Sequence, residues 1–149
     1  MTRPTVARVD LAAIESNLRE ILRFLTRPPT SSPQPPETER REAPRVIAVV
    51  KANAYGHGAD GVGLALERAG AAMLACADIE EGIALRRAGV QIPILVFGAL
   101  GISDLDGVFE FDLTPTISTP TAAENLAAAT ARRRKSKMGS DPGLTPFGI

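Results

Sequence analysis

The sequence has no tryptophan, one tyrosine (Tyr55), one histidine (His57) and one cysteine (Cys76). Each scarcity excludes something. A lone thiol forms no internal disulfide and fits a reducing compartment. Flanked by Ala75 and Ala77, it suits a small buried filler better than a nucleophile, which needs an electropositive, accessible setting. His57 has no second histidine, cysteine or paired carboxylate at ligand spacing, which argues against a zinc site. Charge of one sign is also lacking: 17 basic and 17 acidic side chains cancel. No global field therefore draws the chain to nucleic acid or to a membrane surface. The local cluster Arg132 to Lys137 is read as a solvated helix end. Apolar runs fall far short of a bilayer span, and the first residues carry no apolar segment of a secretory signal. The expectation is a soluble cytoplasmic protein with no nucleic-acid or membrane partner.

What is present is a repeating alternation. The 149 residues suffice for one domain with a modest core. Val6 to Val9 reads as a short strand, and Asp10 caps a helix through about Leu25. Leu11, Ile14, Leu18, Ile21, Leu22 and Leu25 keep helical spacing and are expected to form its buried face. Residues 28–44, rich in proline, serine, threonine and charge, read as a flexible surface insertion. Val46 to Val50 is β-branched and continuous, as a strand buried on both faces should be. A loop containing Gly56, His57 and Gly58 leads to a helix from Asp60 to Ala69, closed by Gly70. Met73 to Ala77 is the next strand. Asp78 with Glu81 resembles a capping box opening a helix to Ala88, closed by Gly89. Ile92 to Phe97 is a third strand, with Pro93 tolerable only near its start. Ser103 and Asp104 are placed to cap a short helix, Thr114 to Ile117 to form a strand, and Thr119 with Pro120 to start a helix running to about Arg134. Strands and helices at this spacing require right-handed crossovers and a parallel sheet. That leaves an open doubly wound sheet and a (β/α)8 barrel as alternatives.

In both, ligands sit at the carboxyl ends of the strands, and Lys51 occupies that end of the first core strand. Partial desolvation there would lower the pKa of its amine and free it to form a Schiff base. Tyr55 offers a hydroxyl on a rigid stem suited to a phosphate, and the glycines let backbone amides approach an anion. Position alone leaves the plainer readings open. A lysine ending a strand commonly solubilises a sheet edge, and a tyrosine beginning a loop commonly packs. The glycine spacing fits neither nucleotide-binding fingerprint.

The stretch Ala48 to Gly58, AVVKANAYGHG, resembles the signature of alanine racemases, the fold-type III pyridoxal-phosphate enzymes. The resemblance extends to Arg8 to Ile14 with Asn17 and Leu18, and to Glu80 to Gly89, Pro93 to Gly98 and Leu113 to Thr116. It implies a partial (β/α)8 TIM-type barrel of parallel strands, about the first four or five βα units, over residues 45–149. This part would follow an N-terminal strand and helix (1–27) and the insertion (28–44). It implies pyridoxal 5'-phosphate as cofactor, bound by Lys51 and Tyr55. Lys51 would be one base of a two-base interconversion of L- and D-alanine, and the cofactor ring would delocalise the carbanion. Asn53 and His57 would support the loop. The partners implied are a small amino-acid substrate and, for the intact family, a second subunit.

Two departures accompany the resemblance. The family's second base is a tyrosine of a C-terminal domain contributed across a dimer, whereas Tyr55 is the one tyrosine here. Asp141 to Ile149 resembles the family's fifth-strand segment, but the arginine of that pattern falls on Pro146, which cannot donate charge-assisted bonds, and its lysine falls on Gly139. An incomplete or split enzyme is the expectation, active when a complementing C-terminal fragment is supplied. The alternatives are a non-catalytic pyridoxal-phosphate-binding protein and an inactive remnant.

Overall fold

Short, mostly apolar stretches separated by helices build a four-stranded parallel sheet. The computed structural model describes residues 5–26, 43–98 and 105–139. The elements are α1 (Leu11–Thr26), β1 (Ile47–Val49), α2 (Lys51–Tyr55), α3 (Ala59–Ala69), β2 (Met73–Cys76), α4 (Ile79–Arg87), β3 (Ile94–Val96), α5 (Leu105–Glu110), β4 (Thr114–Pro115) and α6 (Pro120–Gly139). The insertion over residues 28–44 falls almost wholly outside the described residues. Ser103, Asp104 and the segment Asp141 to Ile149, the suggested fifth unit, lie outside them too.

The strands pair in the order β1-β2-β3-β4, all parallel. Ala48 pairs with Leu74, Leu74 with Ile94, and Cys76 with Val96, so these side chains share one face of the sheet. The helices lie on that face. A Cβ added to Gly63 of α3 would meet Leu74, and one added to Gly82 of α4 would lie 3.5 Å from the Cys76 sulfur. Sequential order with the helices on one side means every crossover turns the same way. A doubly wound sheet reverses direction and covers both faces, whereas a barrel does neither. The arrangement is an arc of four βα units.

The core lies between this face and the helices. Leu74, Leu85, Ile94, Val50, Val90, Val96 and Cys76 are fully buried, and each aliphatic side chain contributes about 1.5–3 kcal/mol relative to exposure. Asp10 caps α1 by accepting from the Ala13 amide at 3.1 Å. Leu11, Ile14, Leu18 and Leu22 pack inward, and Glu15 bridges to Arg68 of α3 at 2.8 Å. The Arg68 guanidinium, then that of Arg19, holds the Glu15 carboxyl below its ordinary value. Arg86 of α4 donates to the carbonyls of Val90, Ile92, Phe111 and Asp112, tying the connections that enter β3 and β4.

Four expectations need correction. No strand forms over Val6 to Val9, where Val6 is exposed, because no described strand lies beside it to pair. Ile21 and Leu25 do not join the buried face of α1: one neighbouring helix, α3, covers only a narrow stripe. Strand β1 is not buried on both faces: Ile47 is 51% and Val49 43% exposed. Both point away from the helices, into what would be the interior of a closed barrel. Finally, β3 begins at Ile94 rather than Ile92, since Pro93 has no amide to donate and enters the ladder only through its carbonyl, which accepts from Leu74.

Candidate active site

Strand β1 delivers its last residues directly into the site. The Val50 amide donates to the Ala75 carbonyl at 2.8 Å, which keeps β1 against β2 up to the residue before Lys51. Val50 enters the core and its ψ of 22° ends the extended geometry; Lys51 comes out beside Phe97, which follows core-facing Val96 and so lies on the face without helices. Its Nζ stands 5.5 Å from the centre of the Phe97 ring, contributed by the residue after β3. An ammonium over an aromatic face is attracted by the ring quadrupole, which gives the lysine a preferred direction across the strand ends.

The backbone after Lys51 is unusual. Ala52, Asn53, Ala54 and Tyr55 have φ of 52°, 54°, 53° and 53°, so α2 is a single left-handed helical turn of non-glycine residues. The loop expected here therefore has a defined hand. Such a conformation costs about 1–2 kcal/mol per residue and persists only where its surroundings hold it. Within the turn, the Ala54 amide donates to Val50 O at 2.8 Å and the Gly56 amide to Ala52 O at 2.9 Å. Asn53 Oδ1 accepts from the Ala59 amide at 2.7 Å, at the start of α3. His57 Nδ1 lies 3.0 Å from Ala54 O and 3.1 Å from Tyr55 O, where a protonated Nδ1 donates to both. The support role expected for Asn53 and His57 corresponds to these contacts.

A further support comes from α4. Asp78 caps that helix by accepting from the Glu81 amide at 2.8 Å, the first half of the capping box. The second half is diverted. Instead of returning to the Asp78 amide, Glu81 accepts from Ala77 N through Oε2 at 2.9 Å and from Ala52 N through Oε1 at 2.5 Å. Its role at the turn could not be read from the capping pattern, which assigns the carboxylate a local partner. At the same mouth Gly98 N donates to Ala77 O at 2.9 Å. A Cβ at Gly98 would fall 2.0 Å from that oxygen, so only glycine admits so close an approach.

The structure thus brings Lys51, Phe97 and the left-handed turn to one end of the sheet. Tyr55 is 59% exposed at the end of that turn, with its hydroxyl free of any protein partner among the described residues. Cys76 lies beneath the site, fully buried, its thiol donating to Asp78 O. Burial, followed by the Glu81 and Asp78 carboxylates, pushes it up to about 12. It is a filler.

A parallel βα arc with a lone lysine at its strand ends is the class defined by fold and site. The profile "Alanine racemase, N-terminal domain" matches residues 37–139, and the chain belongs to the alanine racemase family. Alanine racemase of Sorangium cellulosum is 38% identical over 140 residues, which is 92% of this chain and 34% of that protein. That of Halothermothrix orenii is 33% identical over 100% of this chain and 36% of its own length. The alanine racemase structure from D-cycloserine-producing Streptomyces lavendulae superposes with a TM-score of 0.68 at 31% identity, over 83% of this chain and 28% of that one. The structure from Bacillus anthracis with bound L-Ala-P gives 0.62 at 34% identity, over 78% and 26% respectively. The four parallel strands match part of the family's barrel domain, and the chain spans about a third of the length of the curated relatives. The family is one of pyridoxal-phosphate-dependent racemases. Among the described residues no helix is long and apolar enough to cross a membrane.

Proposed function

We propose that this chain supplies the cofactor-lysine part of a pyridoxal-phosphate-dependent alanine racemase. One observation carries the reading: the Lys51 amine emerges at the carboxyl ends of parallel strands, on a face without helices and beside the Phe97 ring. It does so within the segment matched by the family. When bound, pyridoxal phosphate supplies an aldehyde to the lysine and an electron-accepting ring to the α-carbon of the amino acid. The residues present fit it in part. Lys51 can hold the aldehyde carbon, and the exposed Tyr55 hydroxyl can donate to the phosphate.

In this reading Lys51 Nζ moves the proton at the α-carbon on one face of the substrate. The left-handed turn, stapled through Asn53, His57 and Glu81, keeps the amine from wandering. Phe97 excludes water from one side of it. Inversion needs a second acid/base group on the opposite face, because one base returns the proton to the side it left. Tyr55 is the sole tyrosine of these residues and is committed to phosphate. The second base therefore comes from another chain segment, either a second subunit or a complementing C-terminal fragment. A small amino acid as substrate, a cytoplasmic setting and the division into 1–27, 28–44 and 45–149 belong to the same proposal.

The test is borohydride reduction of the chain with pyridoxal phosphate, followed by peptide mass mapping. The reading expects a pyridoxyl group fixed on Lys51. It also expects conversion of L- to D-alanine after addition of the remaining part of a family barrel and its C-terminal domain, with both lost in Lys51→Ala. Labelling elsewhere at the same yield in Lys51→Ala would overturn the assignment. Fixation on Lys51 without racemisation in the complemented protein would favour a binding protein.

A further inference from the structure

We propose that Glu81 is the positioning residue of the Lys51 site, an inference that rests on the reading of Lys51 as the cofactor lysine. It sits on α4, 30 positions from Lys51 along the chain, outside the stretch that carries the lysine. Its helix does not need it as a capping side chain in the ordinary sense, since its carboxylate makes no contact with the Asp78 amide. The carboxylate spans the carboxyl ends of two strands instead, accepting from Ala77 after β2 and from Ala52 after β1. A longer approach from the Asn53 amide, at 3.4 Å, falls on the same Oε1.

The Ala52 amide belongs to the peptide unit between Lys51 and Ala52. Rotation of that unit sets ψ of Lys51 and φ of Ala52 together. A hydrogen bond that fixes its plane therefore fixes the direction in which the Lys51 side chain leaves the backbone. Ala52 is the first of the four residues with positive φ, so the same bond determines where the left-handed turn begins. The bond is charge-assisted, and such bonds are roughly twice as strong as neutral ones. The other supports act later in the turn: Asn53 reaches forward to Ala59, and His57 reaches back to Ala54 and Tyr55. Among the described residues, Glu81 alone ties the peptide next to the lysine to a different strand. It is not a catalytic residue, and its effect passes through the orientation of the Lys51 amine.

The experiment compares the parent chain with Glu81→Ala and Glu81→Gln by two measurements. Amide hydrogen exchange is followed at Ala52 and Ala77 by NMR. Pyridoxal phosphate with borohydride gives the ratio of pyridoxyl fixed on Lys51 to that on the exposed Lys135. Glu81→Ala is expected to keep its helical circular dichroism, to exchange the Ala52 amide at least tenfold faster, and to lower the Lys51 to Lys135 ratio at least tenfold. Glu81→Gln keeps one carbonyl acceptor at the same reach and is expected to recover Ala52 protection and most of the ratio. Unchanged Ala52 exchange in Glu81→Ala overturns the proposal, and so does lost protection with an unchanged ratio. Should Glu81→Ala fail to fold, Glu81→Asp decides. It keeps the charge but is a methylene short of bridging both amides, so parent-like values for both measurements would refute the role. Should the parent itself label Lys51 no better than Lys135, the cofactor reading fails. Ala52 protection then judges Glu81 alone.

Discussion

Replacing Ala52 by glycine should stabilise the protein, against the rule for helices. In a right-handed helix alanine is the best residue and glycine costs about 0.8–1.0 kcal/mol relative to it. Ala52 lies in a helical turn of the opposite hand, with φ 52° and ψ 51°. There its Cβ crowds the following carbonyl at a cost of about 1–2 kcal/mol, which glycine does not incur. Against that gain stands the larger conformational freedom of glycine in the unfolded chain, about 0.4–1 kcal/mol. The side chain itself is exposed, so no packing is lost, and the backbone N–H to Glu81 is retained. The balance is a gain of roughly 0.5–1 kcal/mol.

Equilibrium urea unfolding followed by circular dichroism measures it, provided the slope is unchanged and only the midpoint moves. Ala52→Val is the control in the other direction, since a β-branched residue at positive φ is a severe outlier. A loss near 1 kcal/mol for Ala52→Gly, the right-handed value, would refute the left-handed turn. The argument about the direction of Lys51 would fall with it. Ala54 would be a poor substitute probe. It has the same φ but is buried, so glycine there would also remove core contacts.

Two further outcomes follow from the packing beneath the site. Gly61→Ala is expected to stabilise by up to about 1 kcal/mol through helix propensity, because its Cβ would meet only Leu11 at 3.5 Å. Gly63→Ala, two residues on and on a different face of α3, would place a Cβ 2.9 Å from Leu85 and 3.3 Å from Leu74 and Val90. It is expected to lose about 1–3 kcal/mol by overpacking, and urea midpoints of equal sign for the pair would contradict the packing described. For Cys76, raised from 9.0 to about 12 by burial and then by Glu81 and Asp78, iodoacetamide at pH 8 should label only unfolded chains. The sign of its linkage follows. The thiol ionises first in the unfolded state, so its contribution is intact below about pH 9 and is lost as pH rises toward 12. Cys76→Ala should lack that part of the alkaline decline in urea midpoint, and an identical decline in both proteins would show that Cys76 is not its source.

Much of this was legible in the residues because the signals are local. Asp10, Asp78 and Thr119 cap the helices that follow them, Gly70 and Gly89 follow helix ends with positive φ, and the short apolar runs between them form β1, β2 and β3. The order of the strands was not legible from periodicity, since both parallel alternatives share the same local pattern. It emerges from the pairing of the strands, and the single face taken by the helices then separates the two alternatives. Val6 to Val9 shows the complementary limit. A strand is made by its neighbour as much as by its propensity, and no described neighbour is there. The hand of the turn after Lys51 was also hidden, because of its four residues only Asn53 favours positive φ. Glu81 looked like half of a local cap. Its partner across the strand ends is a tertiary fact that no spacing rule reports.

The exposure of β1 connects these limits to the function. Val46 to Val50 has the composition of a strand buried on both sides, yet only the side bearing Val50 is covered, while Ile47 and Val49 face outward with Lys51. A surface strand under no further demand would alternate polar with apolar residues. The apolar residues on the lysine's own face are therefore suited to a covered interior, the environment in which an amine is partly desolvated and a carbanion-forming step is shielded from water. The neighbouring strands agree, since Leu95, on the same face as Ile47 and Val49 by register, is also apolar. The face that carries Lys51 is thus built to be enclosed, while the turn, Glu81 and Phe97 orient the amine on it. In this arc of four strands, orienting the lysine and enclosing it are separate tasks. In the proposed reading the left-handed turn, Glu81 and Phe97 serve the first, and further strands of a barrel would serve the second.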